Sequence, residues 1–233
     1  MKIINYAINE STQRKIENLL GMEADIIVLS VESCNCKKRI RIPEELEIKW
    51  CGTCAIDKIW PYWRGVGVIC KKGLGYVPDW FNPDKHYAIP YIINDEYLIL
   101  GISPRKVLEN SKIKSYPQMA QEIIQEYAPH FKDYKTLVIG DFNCCVNQPD
   151  KTKKYGTMVK VNKLLKSLGL HSLYHQTTGE ALGKETTMTF HNPNYKNVSF
   201  FIDYSYTNFD VSTFRLLPFN KRLSDHLGME VVF

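Results

Sequence analysis

The segment Leu137-Val-Ile-Gly-Asp-Phe-Asn143 combines an apolar run with a glycine, a carboxylate and a carboxamide. The apolar, β-branched run predicts a buried strand that ends at Gly140. Alternate residues of an extended chain lie on the same side, so Asp141 and Asn143 are placed to converge on one phosphate group. Glycine, aspartate and asparagine are also common in turns, and the segment alone fits an ordinary strand-to-loop turn equally well.

Two later segments carry further polar groups. Asp203 lies within the otherwise apolar run Phe201-Ile-Asp-Tyr-Ser-Tyr206, where an unpaired buried carboxylate would be costly, so a partner for Asp203 is expected. Asp225 and His226 are neighbours in Arg222-Leu-Ser-Asp-His-Leu227, just before the last apolar run. A histidine paired with one carboxylate, beside an acid that binds a cation, suits phosphoester cleavage. A solvated loop is the simpler interpretation of this dipeptide.

The composition is that of an ordinary globular protein. Of 233 residues, 44% are hydrophobic and 24% are charged, which excludes a disordered or fibrous chain. We expect neither a membrane span nor a secretory signal, because no apolar run is long enough and the N-terminal segment lacks a signal pattern. The net charge of +5 fits a polyanionic partner only weakly. The odd number of cysteines, seven, favours reduced thiols and a cytoplasmic location.

Short apolar runs alternate along the chain with a few helical patterns. The runs predict strands over Lys2–Ile8, Asp25–Val31, Val66–Cys70, Tyr87–Ile93, Tyr97–Ser103, Thr136–Ile139, Thr187–His191, Phe200–Thr207 and Met229–Phe233. Helical spacing predicts helices over Ser11–Leu20, Pro117–Ala128 and Val159–Leu168. Because composition does not change along the chain, we expect one α/β domain over residues 1–233, with two packed sheets and helices outside.

Three motifs follow one another in an informative order: Gly-Asp-Phe-Asn at 140–143, Ile-Asp-Tyr at 202–204 and Ser-Asp-His at 224–226. This order resembles the endonuclease/exonuclease/phosphatase superfamily, which includes DNase I and the AP endonucleases. Lys2–Asn9 and Ala24–Glu32 lie where that family has its first two strands, so the resemblance covers nearly the whole chain. It implies a four-layered α/β/β/α sandwich with two mainly antiparallel sheets packed face to face.

The resemblance also implies catalytic roles. Asp141 resembles the base that positions or deprotonates the attacking water, and Asn143 resembles its hydrogen-bonding companion at the phosphate. His226, oriented by Asp203, would stabilise the charge that develops on the phosphate. The implied activity is in-line hydrolysis of a phosphodiester bond, as in a nuclease, with nucleic acid or another phosphoester as the substrate.

The metal site departs from the family pattern. The resemblance implies Asn9 and Asp225 as oxygen ligands of Mg²⁺ or Mn²⁺. Ala7 stands where the family has an asparagine, and Val31 stands, by ungapped alignment, where the family has a metal-binding glutamate. Glu32 would take the metal role through a bulge in its strand. Two functions therefore stay open: an active hydrolase, and a catalytically inactive domain, natural or engineered, that binds nucleic acid or a phosphorylated ligand.

Four cysteines form two closely spaced pairs, Cys34 with Cys36 and Cys51 with Cys54. Four thiolates at this spacing could hold a structural Zn²⁺, although the Cys-x-Cys pair is tighter than structural zinc sites usually are. Four unligated thiols in a basic loop are the competing interpretation.

A basic and aromatic stretch extends from Lys37-Lys-Arg-Ile-Arg41 to Trp60-Pro-Tyr-Trp-Arg64. Cations and flat rings together can hold phosphates and stack bases, so Trp63 and Arg64 are candidate substrate-binding residues. His191 is a third, because it precedes the Ile-Asp-Tyr strand near the expected groove. A solvated charge run beside core aromatics is the alternative. No lipid-binding amphipathic helix is evident, so we expect no membrane partner.

Overall fold

The computed structural model describes residues 1–10, 12–33, 41–54, 63–84, 87–109, 112–147, 157–195 and 197–233. The strands are β1 (Lys2–Glu10), β2 (Ile26–Ser33), β3 (Leu46–Cys54), β4 (Trp63–Lys71), β5 (Gly75–Tyr76), β6 (Ala88–Ile93), β7 (Tyr97–Ile102), β8 (Val107–Glu109), β9 (Lys112–Lys114), β10 (Lys135–Asp141), β11 (His171–Ser172), β12 (Phe190–His191), β13 (Ser199–Phe200), β14 (Asp203–Thr207), β15 (Thr213–Leu216) and β16 (Met229–Val232). The helices are α1 (Gln13–Leu20), α2 (Tyr116–Tyr127), α3 (Met158–Ser167) and α4 (Leu173–Thr178), and a 3₁₀ turn follows α2 at Ala128–His130.

Two six-stranded sheets form the centre of the fold. The first has the order β15-β16-β1-β2-β4-β3 and the second has the order β11-β14-β10-β7-β6-β5. One neighbouring pair in each sheet is parallel, β1 with β2 and β10 with β7. The other neighbours within these sheets are antiparallel, as the family resemblance implied.

The alternation of side chains in the first sheet divides the core between its two faces. Ile3 and Val28 belong to a large apolar cluster that also contains Ile139 of the second sheet, so these faces pack against each other. The intervening residues of β1 and β2 belong to a smaller cluster with Ile16 and Leu19 of α1. Successive strand residues point to opposite faces, which is why the two clusters draw on the same two strands.

The helices complete the outer layers. Helix α1 covers the outer face of the first sheet, and Ile124 of α2 and Leu165 of α3 join the large cluster that includes the second sheet. The predicted four-layered α/β/β/α sandwich is therefore confirmed. None of the helices in the described ranges combines the length and apolar character that crossing a lipid bilayer requires.

The central strands of the second sheet bring distant motifs together. β10 lies between β14 and β7, and Asp141 is directly opposite Asp203 in the β10–β14 pair. Because β7 runs parallel to β10, the carboxyl ends of both strands meet at one edge of the sheet. His226 reaches the same region through an isolated bridge to Phe190 of β12. The candidate site is built at this edge.

Candidate active site

Gly140 allows the end of strand β10 to pass close to β7. A Cβ atom at this position would lie 1.8 Å from the carbonyl oxygen of Ile102, so no larger residue fits. Its φ of +155° also lies outside the range that other residues readily adopt. The glycine therefore brings the backbones together and delivers Asp141, 1% exposed, to the end of the sheet.

Asp141 and Asn143 form a closed hydrogen-bonded turn. The backbone N–H of Asn143 donates to Asp141 Oδ1 at 2.9 Å, and the side-chain Nδ2 donates to Asp141 Oδ2 at 2.8 Å. Asn143 has a φ of +53°, a conformation that asparagine tolerates better than most residues. The segment is both a strand-to-loop turn and a polar pair, the two interpretations that the sequence allowed. The turn holds the Asp141 carboxylate and the Asn143 carboxamide side by side.

Asp203 and His226 form the buried pair that the sequence led us to expect. His226 Nδ1 lies 2.8 Å from Asp203 Oδ2, and the two side chains are 6% and 0% exposed. The backbone N–H of Asp203 donates to Thr189 Oγ1 at 3.0 Å, and the backbone N–H of His226 donates to Ser224 Oγ at 2.9 Å. These bonds fix the carboxylate and the imidazole relative to each other.

Sequence reasoning missed Arg105, which lies three residues beyond the end of β7. Its side chain is 2% exposed, and Nη2 lies 3.7 Å from Asp141 Oδ2. Nη1 donates to Asn143 Oδ1 at 3.3 Å, and Nη2 donates to Ser103 Oγ at 3.2 Å. The one indication in the sequence was the position of Arg105, because it follows a predicted strand. In the fold, the carboxyl end of that strand lies beside the carboxyl end of β10.

The two central titratable groups are shifted so that both carry charge near neutral pH. Burial raises the pKa of Asp141 to about 6, although His226 and Arg105 act in the opposite direction. Burial lowers the pKa of His226, but the carboxylate of Asp203, helped by Asp141 and Asp225, outweighs burial and raises it to about 9. An anionic Asp141 therefore faces a cationic His226 between these two values.

A cavity of about 340 Å³ opens onto this cluster. Its polar wall contains four residues singled out from the sequence: Asn9, Asn143, Asp225 and His226. The remaining wall is aromatic, apolar and carboxamide in character, and consists of Tyr116, Phe190, Asn192, Pro193, Asn194, Phe200 and Ile202. The volume suits a small ligand group with both a charged and a flat apolar part.

The donor atoms at the site suit a hard divalent cation. One carboxylate oxygen each from Asp141 and Asp203 lies within 4.8 Å of the other. Asp203 Oδ1 is buried, and among the residues that the structure describes no group hydrogen-bonds to it. Asn9 and Asp225 add amide and carboxylate oxygens to the adjoining cavity. Oxygen donors of this kind are those that Mg²⁺ and Mn²⁺ prefer.

The chain is similar over its whole length to several solved structures. It matches a 3′ phosphatase, NExo, from Neisseria bound to a product DNA hairpin, with a TM-score of 0.72 and 17% identity over 100% of this chain and 99% of that chain. It matches an AP endonuclease from Archaeoglobus fulgidus, with a TM-score of 0.68 and 17% identity over 100% and 99% of the two chains. An endonuclease/exonuclease/phosphatase family protein from Leptotrichia buccalis matches with a TM-score of 0.63 and 17% identity, over 99% and 98%.

The chain has the endonuclease/exonuclease/phosphatase fold. The resemblance seen in the sequence motifs is thus confirmed at the level of the fold. No protein-family model matches the sequence, and no curated protein sequence matches it either.

Within the endonuclease/exonuclease/phosphatase fold, the two departures from the motif pattern have different positions. Val31 is 1% exposed and packs with Ile8 in the cluster beneath α1, on the opposite face of the sheet from the candidate site. Val31 thus lies among the apolar residues beneath α1, and the altered metal site stays a prediction. Glu32 lies within β2, and its side chain is outside the described part of the structure. Ala7 is 3% exposed, and its carbonyl oxygen accepts a hydrogen bond from Ser224 Oγ, next to Asp225.

Of the four cysteines predicted as a possible zinc site, only Cys51 has a described side chain, so the zinc site stays a prediction. Cys51 lies in the core between the sheets, where its Sγ is 3.9 Å from the carbonyl oxygen of Pro83. Burial raises the pKa of the Cys51 thiol, which favours the neutral form over the thiolate that zinc binds. Cys54 is at the end of β3 without a described side chain, and Cys34 and Cys36 lie outside the described residues.

The predicted substrate-binding residues are only partly described. Trp63 and Arg64 begin β4, and their side chains lie outside the described part of the structure. His191 is in β12, where its backbone N–H donates to the Asp225 carbonyl oxygen at 2.8 Å. Its ring lies 4.7 Å from that of Phe219, which is 46% exposed. His191 thus contacts the Asp225 segment and an exposed aromatic side chain, but neither His191 nor Phe219 is among the described residues that line the cavity.

Proposed function

We propose that this protein is a divalent-metal-dependent hydrolase of phosphodiester bonds that acts on nucleic acid. The observation that carries this proposal is that Asn143 and His226 line one cavity, and each is hydrogen-bonded to a buried carboxylate, Asp141 and Asp203 respectively. These groups come from distant parts of the chain, and each suits a separate task at a phosphate. We also propose that residues 1–233 act as one domain, because the site uses residues near both ends of the chain.

The chain's own groups can perform in-line hydrolysis. Asp141, as a carboxylate, accepts a proton from the attacking water while the water oxygen forms a bond to phosphorus. The opposite P–O bond breaks, and the leaving oxygen departs with the bonding electrons and takes a proton from solvent. His226, as an imidazolium paired with Asp203, stabilises the negative charge that develops on the phosphate. Asn143, which lines the cavity, hydrogen-bonds to Asp141 and holds the carboxylate in one orientation.

The divalent metal would be held beside these groups by Asn9 and Asp225, with Glu32 as the further ligand implied by the resemblance. When bound, it would neutralise charge on the phosphate oxygens. The two described residues line the cavity that contains Asn143 and His226, so the ligands and the catalytic groups would share one phosphate.

Nucleic acid is the substrate class that best fits the cavity wall. Phe190 and Phe200 are stacked with their planes 6° apart, and the ring of Phe190 lies 4.9 Å from that of His226. Flat apolar surfaces next to a phosphate site suit the sugar or base of a nucleotide. The carboxamides of Asn192 and Asn194 add donors and acceptors to the same wall. One protein of similar fold is described as bound to a product DNA hairpin.

A second candidate function is binding without catalysis. The observation that favours it is Ala7, which cannot supply the polar group that the family has at this position near Ser224 and Asp225. A domain of this kind would keep the cavity and the His226 cation and would bind phosphorylated ligands without turnover.

Cleavage assays distinguish the two functions. Duplex DNA, single-stranded DNA, RNA and bis-p-nitrophenyl phosphate would be incubated with Mg²⁺, with Mn²⁺ or with a chelator. We expect metal-dependent turnover that falls about 100-fold or more in Asp141→Asn and in His226→Asn. Asp133→Asn, an exposed aspartate away from the cavity, is the matched control. No turnover with either metal, together with salt-sensitive binding of the same nucleic acids, would support the binding domain instead.

A further inference from the structure

The candidate site contains two buried carboxylates and two buried cations. Asp141 and Asp203 are opposite each other in the β10–β14 pair and are 1% and 0% exposed. His226 pairs with Asp203 at 2.8 Å, and Arg105 lies 3.7 Å from Asp141. Two neighbouring carboxylates repel each other when buried, so they need compensating positive charge. His226 supplies it for Asp203 and for Asp141, and Arg105 is a second compensating cation for Asp141.

Arg105 also determines which way the Asn143 carboxamide is turned. Its Nη1 donates to Asn143 Oδ1 at 3.3 Å, and a guanidinium group can only donate hydrogen bonds. The carboxamide oxygen must therefore face Arg105, which leaves the Nδ2 group to donate to Asp141 Oδ2 at 2.8 Å. With the carboxamide reversed, its oxygen would face the Asp141 carboxylate and its nitrogen would face the guanidinium group.

Arg105 is itself held in place. Its Nη2 donates to Ser103 Oγ at 3.2 Å, and both residues are buried in the segment that follows β7. Arg105 is not among the residues that line the cavity in the described part of the chain. Its partner Asn143 does line the cavity, so Arg105 would act on a bound phosphate through Asn143.

We propose that Arg105 is a positioning residue of the active site, which fixes the Asn143 carboxamide and adds to the positive charge that compensates Asp141. For its effect on turnover this inference rests on the proposed hydrolase function. The orientation of the carboxamide does not depend on that function. An arginine suits the task because its planar group contacts both residues at once, which a lysine cannot do in the same geometry.

Kinetics of three variants test the effect on turnover. With the best substrate from the cleavage assays, we expect Arg105→Met to lower kcat about 100-fold with little change in KM. Arg105→Lys keeps the charge, and we expect it to recover part of the lost kcat. Arg215→Met is the matched control, because Arg215 lies on the surface in an ion pair with Glu230. A purely structural role would lower the melting temperature and leave kcat per folded molecule unchanged, which would overturn the proposal.

Nuclear magnetic resonance tests the positioning role without any activity. Protein labelled at asparagine nitrogen gives side-chain amide signals, and the one absent from Asn143→Ala belongs to Asn143. We expect this signal to shift and to exchange faster with water in Arg105→Met, and to stay in place in Arg215→Met. If Arg105→Met does not fold, Arg105→Lys serves for the same comparison. An unchanged signal would overturn the inference, whereas a shifted signal in a protein without turnover would refute only the hydrolase function.

Discussion

Asp141 and His226 are close together in the core, yet their pKa values are displaced for different reasons. Burial dominates for Asp141 and raises its pKa to about 6, which makes the carboxylate a stronger base than an exposed one. Three carboxylates outweigh burial for His226 and raise its pKa to about 9. The proposed base and the proposed cation are therefore in their active forms over the same pH interval.

This overlap predicts a bell-shaped pH profile for kcat/KM. The rate should rise as pH increases through about 6, where Asp141 loses its proton, and fall as pH increases through about 9, where His226 loses its charge. Asp203→Asn removes the largest of the effects that raise the His226 pKa, so the alkaline limb should move to lower pH. Initial rates measured across this range test the prediction. An alkaline limb that stays in place in Asp203→Asn would contradict the assignment to His226.

Val31, one of the two departures from the family's metal-site pattern, can be tested by restoring the glutamate. Val31→Glu would place a carboxylate in the apolar cluster under α1, where Val31 is 1% exposed. We expect it to destabilise the fold by about 3 kcal/mol or more and to leave the metal requirement unchanged. Chemical denaturation gives the stability and a Mg²⁺ titration of activity gives the requirement. Val31→Ile, which keeps the apolar character, is the control, and tighter Mg²⁺ binding in Val31→Glu would show that position 31 does reach the site.

At the scale of single elements, the end of β10 depends on the close approach of β7. Gly140→Ala would place a methyl group 1.8 Å from the Ile102 carbonyl oxygen, so the strands must separate. We expect a loss of about 2 kcal/mol or more in the free energy of unfolding and a lower kcat, because Asp141 moves with the strand. The control is Gly169→Ala, since Gly169 has a φ of +81° with no atom near the added Cβ. Wild-type kcat in folded Gly140→Ala would show that the strand spacing does not position Asp141.

The central elements were predictable from the sequence, and the peripheral ones were not. Runs such as Thr136–Ile139 and Tyr97–Ser103 are buried on both faces, and each falls on a central strand. β3 and β15 were missed because they are edge strands, in which polar residues interrupt the apolar pattern. The predicted strand Phe200–Thr207 divides into β13 and β14, which pair with different partners. The local pattern of apolar residues does not indicate that the pairing partner changes between Phe200 and Asp203.

At the scale of the whole molecule, local sequence patterns likewise indicate only part of the site. Asp141, Asp203 and His226 could be found because each belongs to a short motif, and the order of the motifs resembles a known family. Arg105 could not be found, because its role comes from the parallel packing of β7 beside β10 and from the burial of its side chain. The face on which Val31 lies was likewise set by the register between β1 and β2.

The proposed metal ligands connect the two ends of the chain, which has a consequence for stability. Asn9 lies near the end of β1, Asp225 precedes β16, and these two strands pair with each other in the first sheet. A ligand that binds only the folded state stabilises it in proportion to the logarithm of its concentration above the dissociation constant. Because the ligands bridge strands from opposite ends of the sequence, we expect Mg²⁺ to stabilise the whole fold and not one segment of it.

Thermal unfolding should therefore respond to Mg²⁺ as a single transition. The melting temperature should rise with Mg²⁺ concentration, corresponding to about 2.7 kcal/mol when Mg²⁺ is at 100 times its dissociation constant. Asp225→Asn should remove most of this dependence, because it withdraws a carboxylate from the proposed ligand set, whereas the exposed variant Asp133→Asn should retain it. Circular dichroism and tryptophan fluorescence should report the same midpoint. An equal Mg²⁺ response in wild-type protein and Asp225→Asn would place the cation elsewhere, and different midpoints for the two probes would contradict unfolding as one domain.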